Sequence, residues 1–402
     1  MKVLVQKFGG TSVSTPERRQ QVVAKIMAAK AAGYFPVVVV SAPGRAGEPY
    51  ATDTLLSLAK EECQEIGKRE QDMIMACGEI VAGVIVVGAL KKAGLDAVFL
   101  TGQQAGIITT MTHGDAQVIR IKPDNIQAQL RNGRIVVVAG FQGVSENGDI
   151  TTLGRGGSDT SAAAVGAAVG AAAVEIYTDV NGIMTADPRV VKAAYTIPSI
   201  SHQEAYQMAI QGAKVIHPRA VEIALRHKLP LKIKCTFSDE EGTLIANDES
   251  GTIERLRGRV AVGLAHKNDY GLLRLATEET DEGVGVFDHL AGLGLDADFI
   301  SVSHQAIDII AAQSEIEAAL AQTCAQNIKI VDQVKDCVKI SLVGYWSSTT
   351  DIVGSFVELL RRGKVKVLHT YTGPFIVSGI VAKEETAAAL QLLHDGLLAK
   401  KQ

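Results

Sequence analysis

Short runs of apolar, mostly β-branched residues alternate with helical patterns over the first 235 residues of the chain. The runs that predict strands are 3–8 (VLVQKF), 37–41 (VVVVS), 134–140 (RIVVVAG), 174–179 (VEIYTD) and 231–235 (LKIKC). Near-continuous apolar runs of this kind are typical of strands that are buried on both faces of a sheet. The alternation of strands and helices therefore predicts an α/β sandwich around a largely parallel sheet.

The first helix has recognisable start and stop signals. Residues 15–17 (Thr-Pro-Glu) are typical of an N-cap, a first helical position and a first-turn acid, and Gly33 indicates the end of the helix. One face of this helix is apolar, and we predict that it is buried. Its side chains are Val22, Val23, Ile26 and Met27.

A polar segment, 238–258, predicts a hinge or linker that contains a short strand at 243–246. After it, one pattern of strand, helix, two strands and helix occurs twice. The first copy is 270–276, 284–293, 298–303, 306–312 and 315–322, and the second is 338–344, 351–362, 364–370, 375–381 and 384–398. Phe287 and Phe356 occupy matching places, which indicates an internal duplication of two βαββα units. We predict three domains, 1–245, 246–333 and 334–402.

Composition and charge narrow the classes of function. The chain has 402 residues, of which 47% are hydrophobic and 21% are charged, and its net charge is −4 without a basic stripe, so we expect no nucleic-acid partner. The five cysteines are odd in number, scattered and never CxxC, which favours reduced, mostly buried thiols, a cytoplasmic location and no zinc site. The segment 1–10 does not resemble a signal peptide, and 161–174 is too short and too rich in Ala and Gly to span a bilayer, so we expect no membrane association.

The segment 151–159 (TTLGRGGSD) places glycines and charged residues directly before a bland helix. Ser158, Asp159 and Thr160 are residue types that favour N-caps, and the amides at a helix start attract anions. Arg155 adds a planar fork that suits a carboxylate or a phosphate. The alternative is a glycine-rich turn that only caps a helix.

A second glycine motif, 7–12 (KFGGTS), follows the first strand. Gly9 and Gly10 can free backbone amides for phosphate oxygens, and Lys7 supplies a point charge. The motif is not the Walker pattern, because the lysine precedes the glycines. By itself it is more typical of a simple turn at the end of a strand.

The order and spacing of several motifs together are more specific than any one of them. These motifs are KFGGTS (7–12), SAPG (41–44), ATD (51–53), CGE (77–79), TGQQAG (101–106), VAGFQG (138–143), TTLGRGGSD (151–159), YTDVNGIMTADPR (177–189) and GAKVIHPRAVE (212–222). In this order the chain resembles aspartokinases, and its tail resembles their paired ACT regulatory domains. The resemblance implies an αβα amino-acid-kinase (carbamate-kinase-like) domain and two ferredoxin-like ACT domains. The segment 47–56 (GEPYATDTLL) looks most similar to the diaminopimelate-sensitive type.

The resemblance implies ATP- and Mg²⁺-dependent phosphorylation of the side-chain carboxylate of L-aspartate, with Lys7 and Asp159 as catalytic residues. It assigns substrate binding to Ser41, Thr52, Glu79, Arg155, Gly156, Gly157 and Ser158. It assigns ATP binding to Lys7, Phe8, Gly9, Gly10, Thr178, Asp179, Met184, Thr185, Ala186, Asp187, Pro188, Arg189 and Lys214. No dedicated side-chain cluster for a metal is expected.

Each assignment has a structural alternative when its residue is considered alone. Glu79 is typical of a solvated helix position, Arg155 of a surface cap, and 187–188 (Asp-Pro) of an ordinary turn. The histidines His113, His202 and His217 have no metal-like spacing and favour structural roles. Two rival functions also stay open, a kinase of glutamate or acetylglutamate and an amino-acid-binding regulator without catalysis.

The tail departs from the usual ACT pattern of a Pro-Gly pair before the first helix and an Asn in the following loop. Segments 278–283 and 344–351 lack Pro-Gly, Asp296 stands in the Asn place, and Tyr345 and Trp346 are bulky. We therefore expect weak inhibition by lysine or threonine alone and favour diaminopimelate, which has a second ammonium, as the effector. The alternative is that these units serve only dimerisation. Exposed sheet edges predict a homodimer or a higher oligomer.

Overall fold

The computed structural model describes residues 1–247, 261–276, 295–303, 306–322, 330–346 and 348–399. The chain forms two compact units, one of Met1–Met184 with Thr196–Leu256 and one of Thr185–Tyr195 with Arg257–Gln402. This division differs from the predicted domain 1–245, because Thr185–Tyr195 packs with the second unit. The reason is tertiary, since that segment buries apolar side chains in the core of the second unit.

The first unit contains an eight-stranded sheet and a four-stranded sheet. In chain order the strands are β1 (Val3–Phe8), β2 (Phe35–Val40), β3 (Ala97–Leu100), β4 (Ile107–Thr109), β5 (Val118–Ile121), β6 (Ile135–Ala139), β7 (Gln142–Ser145), β8 (Ile150–Thr152), β9 (Ala173–Thr178), β10 (Ser199–Ile200), β11 (Leu231–Cys235) and β12 (Thr243–Ile245). The order in the large sheet is β10-β12-β11-β9-β1-β2-β6-β3, and the small sheet is β5-β4-β7-β8.

All pairs from β11 to β3 in the large sheet are parallel. The prediction of buried strands is confirmed for β2 and β6, because residues 37–40 and 136–139 are fully buried. The strand order runs from β1 towards β2 on one side and towards β9 on the other. In open α/β sheets, ligands bind at such a switch point, beyond the carboxyl ends of the strands.

Eight helices are described in the first unit. They are α1 (Gly10–Val13), α2 (Pro16–Ala31), α3 (Thr52–Glu62), α4 (Lys68–Lys92), α5 (Asp124–Arg131), α6 (Gly157–Ala168), α7 (His202–Ile210) and α8 (Pro218–Arg226). Thr15 caps α2 as predicted, by accepting a hydrogen bond from the Arg18 amide, and Gly33 follows the helix with a φ of 83°. The prediction that Met27 is buried is wrong. Its side chain is 45% exposed, and Ala29 lies on the buried face instead.

Helix α4 is, among the described helices, long and apolar enough by length and composition to cross a membrane. Two acidic residues, Asp72 and Glu79, are nevertheless buried along it. The helix packs against β3, β6 and β8. Carboxylates are costly inside a bilayer, so we interpret α4 as the core helix of the first unit.

The second unit is built on one six-stranded antiparallel sheet. Its strands are β13 (Gly263–Ala276), β14 (Phe299–Val302), β15 (Ala306–Ala312), β16 (Ile330–Val343), β17 (Val367–Gly373) and β18 (Ile376–Ala382), in the order β14-β15-β13-β16-β18-β17. The helices described in this unit are α9 (Gln313–Gln322), α10 (Thr349–Arg362) and α11 (Thr386–Leu397), and a short 3₁₀ helix, Lys383–Glu385, precedes α11.

The predicted duplication corresponds to two halves that the pairing of β13 with β16 joins into one sheet. The predicted boundary at 333–334 falls inside β16, because that strand is longer than the apolar run that indicated it. The predicted helix 284–293 and Phe287 lie outside the described residues, whereas Phe356 is fully buried.

The core of the second unit includes residues from the inserted segment. Ala186 and Val191 pack in one cluster with Leu342 and Phe356. This burial explains why Thr185–Tyr195 belongs to the second unit although it is far from that unit in sequence.

The cysteines differ from expectation. Cys235 and Cys337 are buried, but Cys63 and Cys77 are exposed, so the prediction of mostly buried thiols is wrong for the described cysteines. Cys77 lies on the outer face of α4, and its apolar residue type therefore wrongly predicted that it is buried.

Candidate functional site

The carboxyl end of β1 carries a partly buried ion pair. Lys7 Nζ lies 2.8 Å from Asp159 Oδ1, and each side chain is 12% exposed. Strand β1 supplies the lysine and the first turn of α6 supplies the aspartate. The structure therefore brings together the two residues that were predicted to be catalytic.

The glycine turn after β1 is packed tightly against the chain that follows β2. A Cβ on Gly10 would collide with the carbonyl oxygen of Ala42 and would lie 2.9 Å from that of Gly44. The Gly9 amide already donates to the carbonyl of Tyr177, at 3.3 Å. The phosphate contact predicted for both glycine amides therefore depends mainly on Gly10.

The Phe8 side chain lies in the hydrophobic core, where it cannot contact ATP. Its ring is fully buried and stacks on Tyr177, with the ring centroids 4.7 Å apart. Its carbonyl accepts a hydrogen bond from the Ser41 amide. Phe8 thus supports the end of β1 from within the core.

Glu79 is a buried carboxylate of which one oxygen is hydrogen-bonded within the described structure. Its Oε1 accepts a hydrogen bond from the Ala42 amide at 2.9 Å. Its Oε2 is buried and has no hydrogen-bond partner among the residues that the structure describes. Burial raises the pKa of Glu79 to about 8, against the effect of the Ala42 hydrogen bond. A ligand cation would satisfy the free oxygen and stabilise the charged form.

The other predicted substrate residues lie on neighbouring chain segments. Ser41 follows β2 and Thr52 begins α3, and both are partly exposed. Ser158 lies against Gly140, where a Cβ would be 2.9 Å from that of Ser158, and the Gly140 amide donates to the carbonyl of Val40. These contacts place Ser41, Glu79 and Ser158 around the ends of β2 and β6.

The glycine-rich turn starts its helix earlier than the residue types predicted. Helix α6 begins at Gly157, and its N-cap is Gly156, with a φ of 66° and no side-chain cap. Ser158, Asp159 and Thr160 lie inside the first turn and are buried, so they are not caps. A Cβ on Gly156 would collide with the ring of His217, which requires glycine here.

Arg155 is exposed at the tip of this turn. Its guanidinium forms no ion pair with any residue in the described ranges. A planar cation without a protein partner can take a carboxylate bidentately.

Two predicted nucleotide residues follow β9. The Thr178 hydroxyl donates to Asp179 Oδ1 at 3.2 Å, and Asp179 Oδ2 pairs with Arg45 Nη2 at 2.8 Å. Met184 forms an isolated bridge with Thr196, and Lys214 is exposed before α8. The arrangement brings Thr178 and Asp179 beside the glycine turn, because β9 and β1 are adjacent.

The remaining residues predicted for ATP, 185–189, belong to the second unit. Thr185 is buried, its hydroxyl lies 3.0 Å from His394 Nε2, and its amide and carbonyl bond to Tyr195 and Leu264. Ala186 is part of the apolar core. The other three residues of this set are Asp187, Pro188 and Arg189, of which the last two are exposed. Arg189 donates hydrogen bonds to both carboxylate oxygens of Asp187 and so lowers the pKa of Asp187.

Three structural features around this site were missed by the sequence reasoning. Arg45 directly follows the SAPG motif, so its position was the available signal. Glu175 is buried and accepts hydrogen bonds from Gln6 and Tyr177, and the alternating polar positions of β1 and β9 could have indicated that network. Burial and the nearby Glu175 raise the pKa of Tyr177.

The third missed feature is Asp72, which lies two helical turns before Glu79 on the same helix. It accepts hydrogen bonds from His113 Nδ1 at 2.8 Å and from the Gly114 amide at 3.1 Å. It thereby fixes the loop 110–117 on α4. The seven-residue spacing to Glu79 was the signal that could have found it.

The three histidines singled out from the sequence make protein contacts. Besides the bond of His113 to Asp72, His202 bonds Asn247 and the Leu229 carbonyl, and His217 accepts from the Arg219 amide at the start of α8. Arg219 also clamps Asp115 through both carboxylate oxygens and lowers its pKa. Within the described ranges, no group of three or more His, Cys, Asp or Glu side chains could hold a metal ion.

Comparison with known proteins places this chain in a family. Residues 2–235 match the model of the amino acid kinase family. The chain is 39% identical over 400 residues to aspartokinase 1 of Bacillus subtilis, with 98% of each chain covered, and 37% identical over 421 residues to aspartokinase 2 of the same organism, with 100% and 99% covered.

A solved structure has the same fold. E. coli aspartokinase III in complex with aspartate and ADP superposes with a TM-score of 0.80 at 22% identity, over 98% of this chain and 100% of that one. Because the sequence match to the curated relatives spans nearly the whole chain, the protein belongs to the aspartokinases of the amino acid kinase family.

Proposed function

We propose that the protein transfers the γ-phosphoryl group of ATP to the side-chain carboxylate of L-aspartate and so forms 4-phospho-L-aspartate. The observation that carries this proposal is the buried Oε2 of Glu79, which has no hydrogen-bond partner in the described part of the chain and lies at the same sheet edge as the pair of Lys7 and Asp159. An amino-acid ammonium is the ligand that best satisfies a buried carboxylate oxygen of this kind.

The reaction needs charge neutralisation more than it needs a base. The aspartate side chain has a reference pKa of about 3.9 and is already an ionised nucleophile at neutral pH. Its oxygen forms a bond to the γ-phosphorus while the bond to the β,γ-bridging oxygen breaks, and ADP leaves with that electron pair. Lys7 is the cation that neutralises charge on the transferred group, and Asp159 orients the Lys7 ammonium.

The substrate ends have separate partners in this proposal. Glu79 takes the ammonium, and Arg155 with Ser158 takes the α-carboxylate. Ser41, Thr52, Gly156 and Gly157 line the same pocket. Thr178, Asp179, Met184 and Lys214 serve the nucleotide, and Gly10 serves its phosphates. Mg²⁺ would enter on the nucleotide phosphates, since the described side chains form no cage for it.

An acyl-phosphate trap tests the proposal against its rivals. Hydroxylamine converts the product into a hydroxamate, so hydroxamate should form with ATP and aspartate and at least about tenfold more slowly with glutamate. Faster formation with glutamate or acetylglutamate would favour another kinase of the family. Binding of amino acids without any hydroxamate or ADP would favour a regulator.

We also propose that the second unit mediates self-association through its sheet edges and that the protein is cytoplasmic.

As the effector we propose diaminopimelate rather than lysine or threonine alone. The exposed carboxylate of Asp296 supports this choice, because it can pair with the additional ammonium of diaminopimelate. Segment 278–283 lies outside the described residues. Titration of activity with each amino acid tests the effector, and inhibition by threonine alone below about 1 mM would contradict it.

A further inference from the structure

The chain between β2 and α3 forms a compact loop that rests on the glycine turn after β1. The Gly44 amide donates to the carbonyl of Gly10 at 3.1 Å. The Arg45 amide donates to Glu48 Oε2 at 3.1 Å, and the Gly47 amide donates to the Thr54 hydroxyl at 3.0 Å. The loop is thus held at its base, and Arg45 is the first residue beyond the contact with Gly10.

The Arg45 side chain crosses the end of β1. It starts from the loop after β2 and reaches Asp179, which follows β9, with Nη2 2.8 Å from Oδ2. Because β2 and β9 lie on opposite sides of β1, this ion pair spans the turn that contains Gly9 and Gly10. A phosphate held at that turn would be close to two cations, Lys7 at the end of β1 and Arg45 of the loop after β2.

The ion pair between Arg45 and Asp179 can be broken at little cost in stability. The side chains of Arg45 and Asp179 are 70% and 42% exposed, and pairs this exposed contribute little to stability. A phosphate carries more charge than the Asp179 carboxylate and can accept a bidentate contact from an arginine, whereas Arg45 contacts Asp179 through Nη2. The exchange of one anion for the other therefore needs no rearrangement of the loop base.

We propose that Arg45 is a phosphate-binding residue of this enzyme, held by Asp179 across the glycine turn after β1 until a nucleotide binds. The nucleotide's terminal phosphates then replace Asp179 as the partner of Arg45, and the released carboxylate of Asp179 becomes free for a hydroxyl group of the nucleotide. The proposal rests on the proposed function only in placing the nucleotide phosphates at the turn after β1.

Direct binding measurements separate this role from a structural one. The dissociation constants of ATP and of AMP are measured by calorimetry for the wild type, Arg45→Gln and Arg45→Lys. The matched control is Arg69→Gln, which removes another exposed arginine with a 2.8 Å contact to an aspartate, Asp149, from a different part of the same unit. We expect Arg45→Gln to weaken ATP about tenfold and AMP less than about twofold, with partial recovery in Arg45→Lys.

The same variants are then assayed for turnover. Arg45→Gln should lower kcat about 10- to 100-fold, while KM for aspartate stays within about threefold and Arg69→Gln behaves as wild type. Equal losses for ATP and AMP, or an Arg45→Gln variant indistinguishable from Arg69→Gln, would overturn the proposal. A selective loss of ATP binding in a protein that does not phosphorylate aspartate would support the role of Arg45 and count against the proposed function alone.

Discussion

Lys7 is the residue at which we expect the loss of one charge to have the greatest effect on turnover. Its ammonium is held 2.8 Å from Asp159 and is largely shielded from water, so it is already oriented before a substrate arrives. A preorganised charge in a partly dry site stabilises developing negative charge more strongly than the same charge does in water.

Replacement of this charge should affect turnover more than binding. We expect Lys7→Ala to lower kcat by about 100-fold or more with little change in KM for aspartate, as measured by hydroxamate formation. Lys25→Ala is the control, since Lys25 of α2 also pairs with an aspartate, Asp239, but one whose side chain is fully exposed. A Lys7→Ala enzyme with more than about a third of wild-type turnover would contradict the role.

Glu79 should make aspartate binding depend on pH. Its pKa is raised to about 8 by burial, so below that pH the bound ammonium must first displace a proton. KM for aspartate should therefore fall as the pH rises from about 6 to about 8, by at most about tenfold per unit, and then level off. The same shift lowers the free energy of unfolding as the pH rises from 4.5 to about 8, because the unfolded chain loses this proton first.

The variant Glu79→Gln tests the source of that dependence. It should raise KM for aspartate about 10- to 100-fold through loss of a charged partner, and the pH slope of KM should disappear. Steady-state kinetics between pH 6 and pH 9 provide the measurement. A slope that survives in Glu79→Gln would show that another group titrates.

At the scale of the element, helix α4 positions Glu79 because the helix packs closely against the segment that contains Ala42. Gly78, the residue before Glu79, lets the segment between β2 and α3 approach the helix, since a Cβ there would be 2.6 Å from that of Ala42 and 2.7 Å from the Tyr50 carbonyl. The same approach allows the Ala42 amide to reach Glu79. Gly88, on the exposed side of the helix, has open space around it.

These two glycines provide a matched pair of substitutions in one helix. Gly78→Ala should destabilise the protein by about 1–3 kcal/mol through overpacking and should raise KM for aspartate by moving Ala42. Gly88→Ala should stabilise it by about 0.5–1 kcal/mol, because glycine is a poor helix former. Thermal unfolding and kinetics of both variants give the answer, and equal effects of the two would show that local packing at Gly78 is unimportant.

At the scale of the whole molecule, the two compact units should respond separately to substitutions. The second unit contains a buried cation, Lys339, whose side chain is 2% exposed and which pairs with Asp298. Asp298 also accepts a hydrogen bond from the Tyr270 hydroxyl at 2.8 Å. A buried ammonium without its anion is costly, so this pair should control the stability of the sheet around it.

We expect Asp298→Asn to destabilise the second unit by about 3 kcal/mol and the double variant with Lys339→Met to recover most of that loss. Calorimetry should resolve two transitions, since chains with more than one compact unit seldom unfold in one step. Asp298→Asn should lower one transition and Gly78→Ala the other. A shift of both transitions by either variant would show that the units unfold together.

The sequence by itself determined the layers and the family of this protein. Buried strands such as β2 and β6 consist of consecutive β-branched residues, and the signals at residues 15–17 and Gly33 are local, so their effect does not depend on the rest of the chain. The motifs around Lys7, Glu79 and Asp159 were visible for the same reason, since each is a short stretch in a fixed order.

The tertiary structure decided which groups are buried, paired or free. Met27 and Cys77 are apolar residue types, yet both lie on exposed helix faces. The His217 ring leaves room only for glycine at position 156, directly before α6. The Thr185 hydroxyl is hydrogen-bonded to His394 in the core of the second unit. The bridge from Arg45 to Asp179 joins residues 134 positions apart. Such contacts depend on strand order and on chain segments distant in sequence, so no local pattern of residues could have specified them.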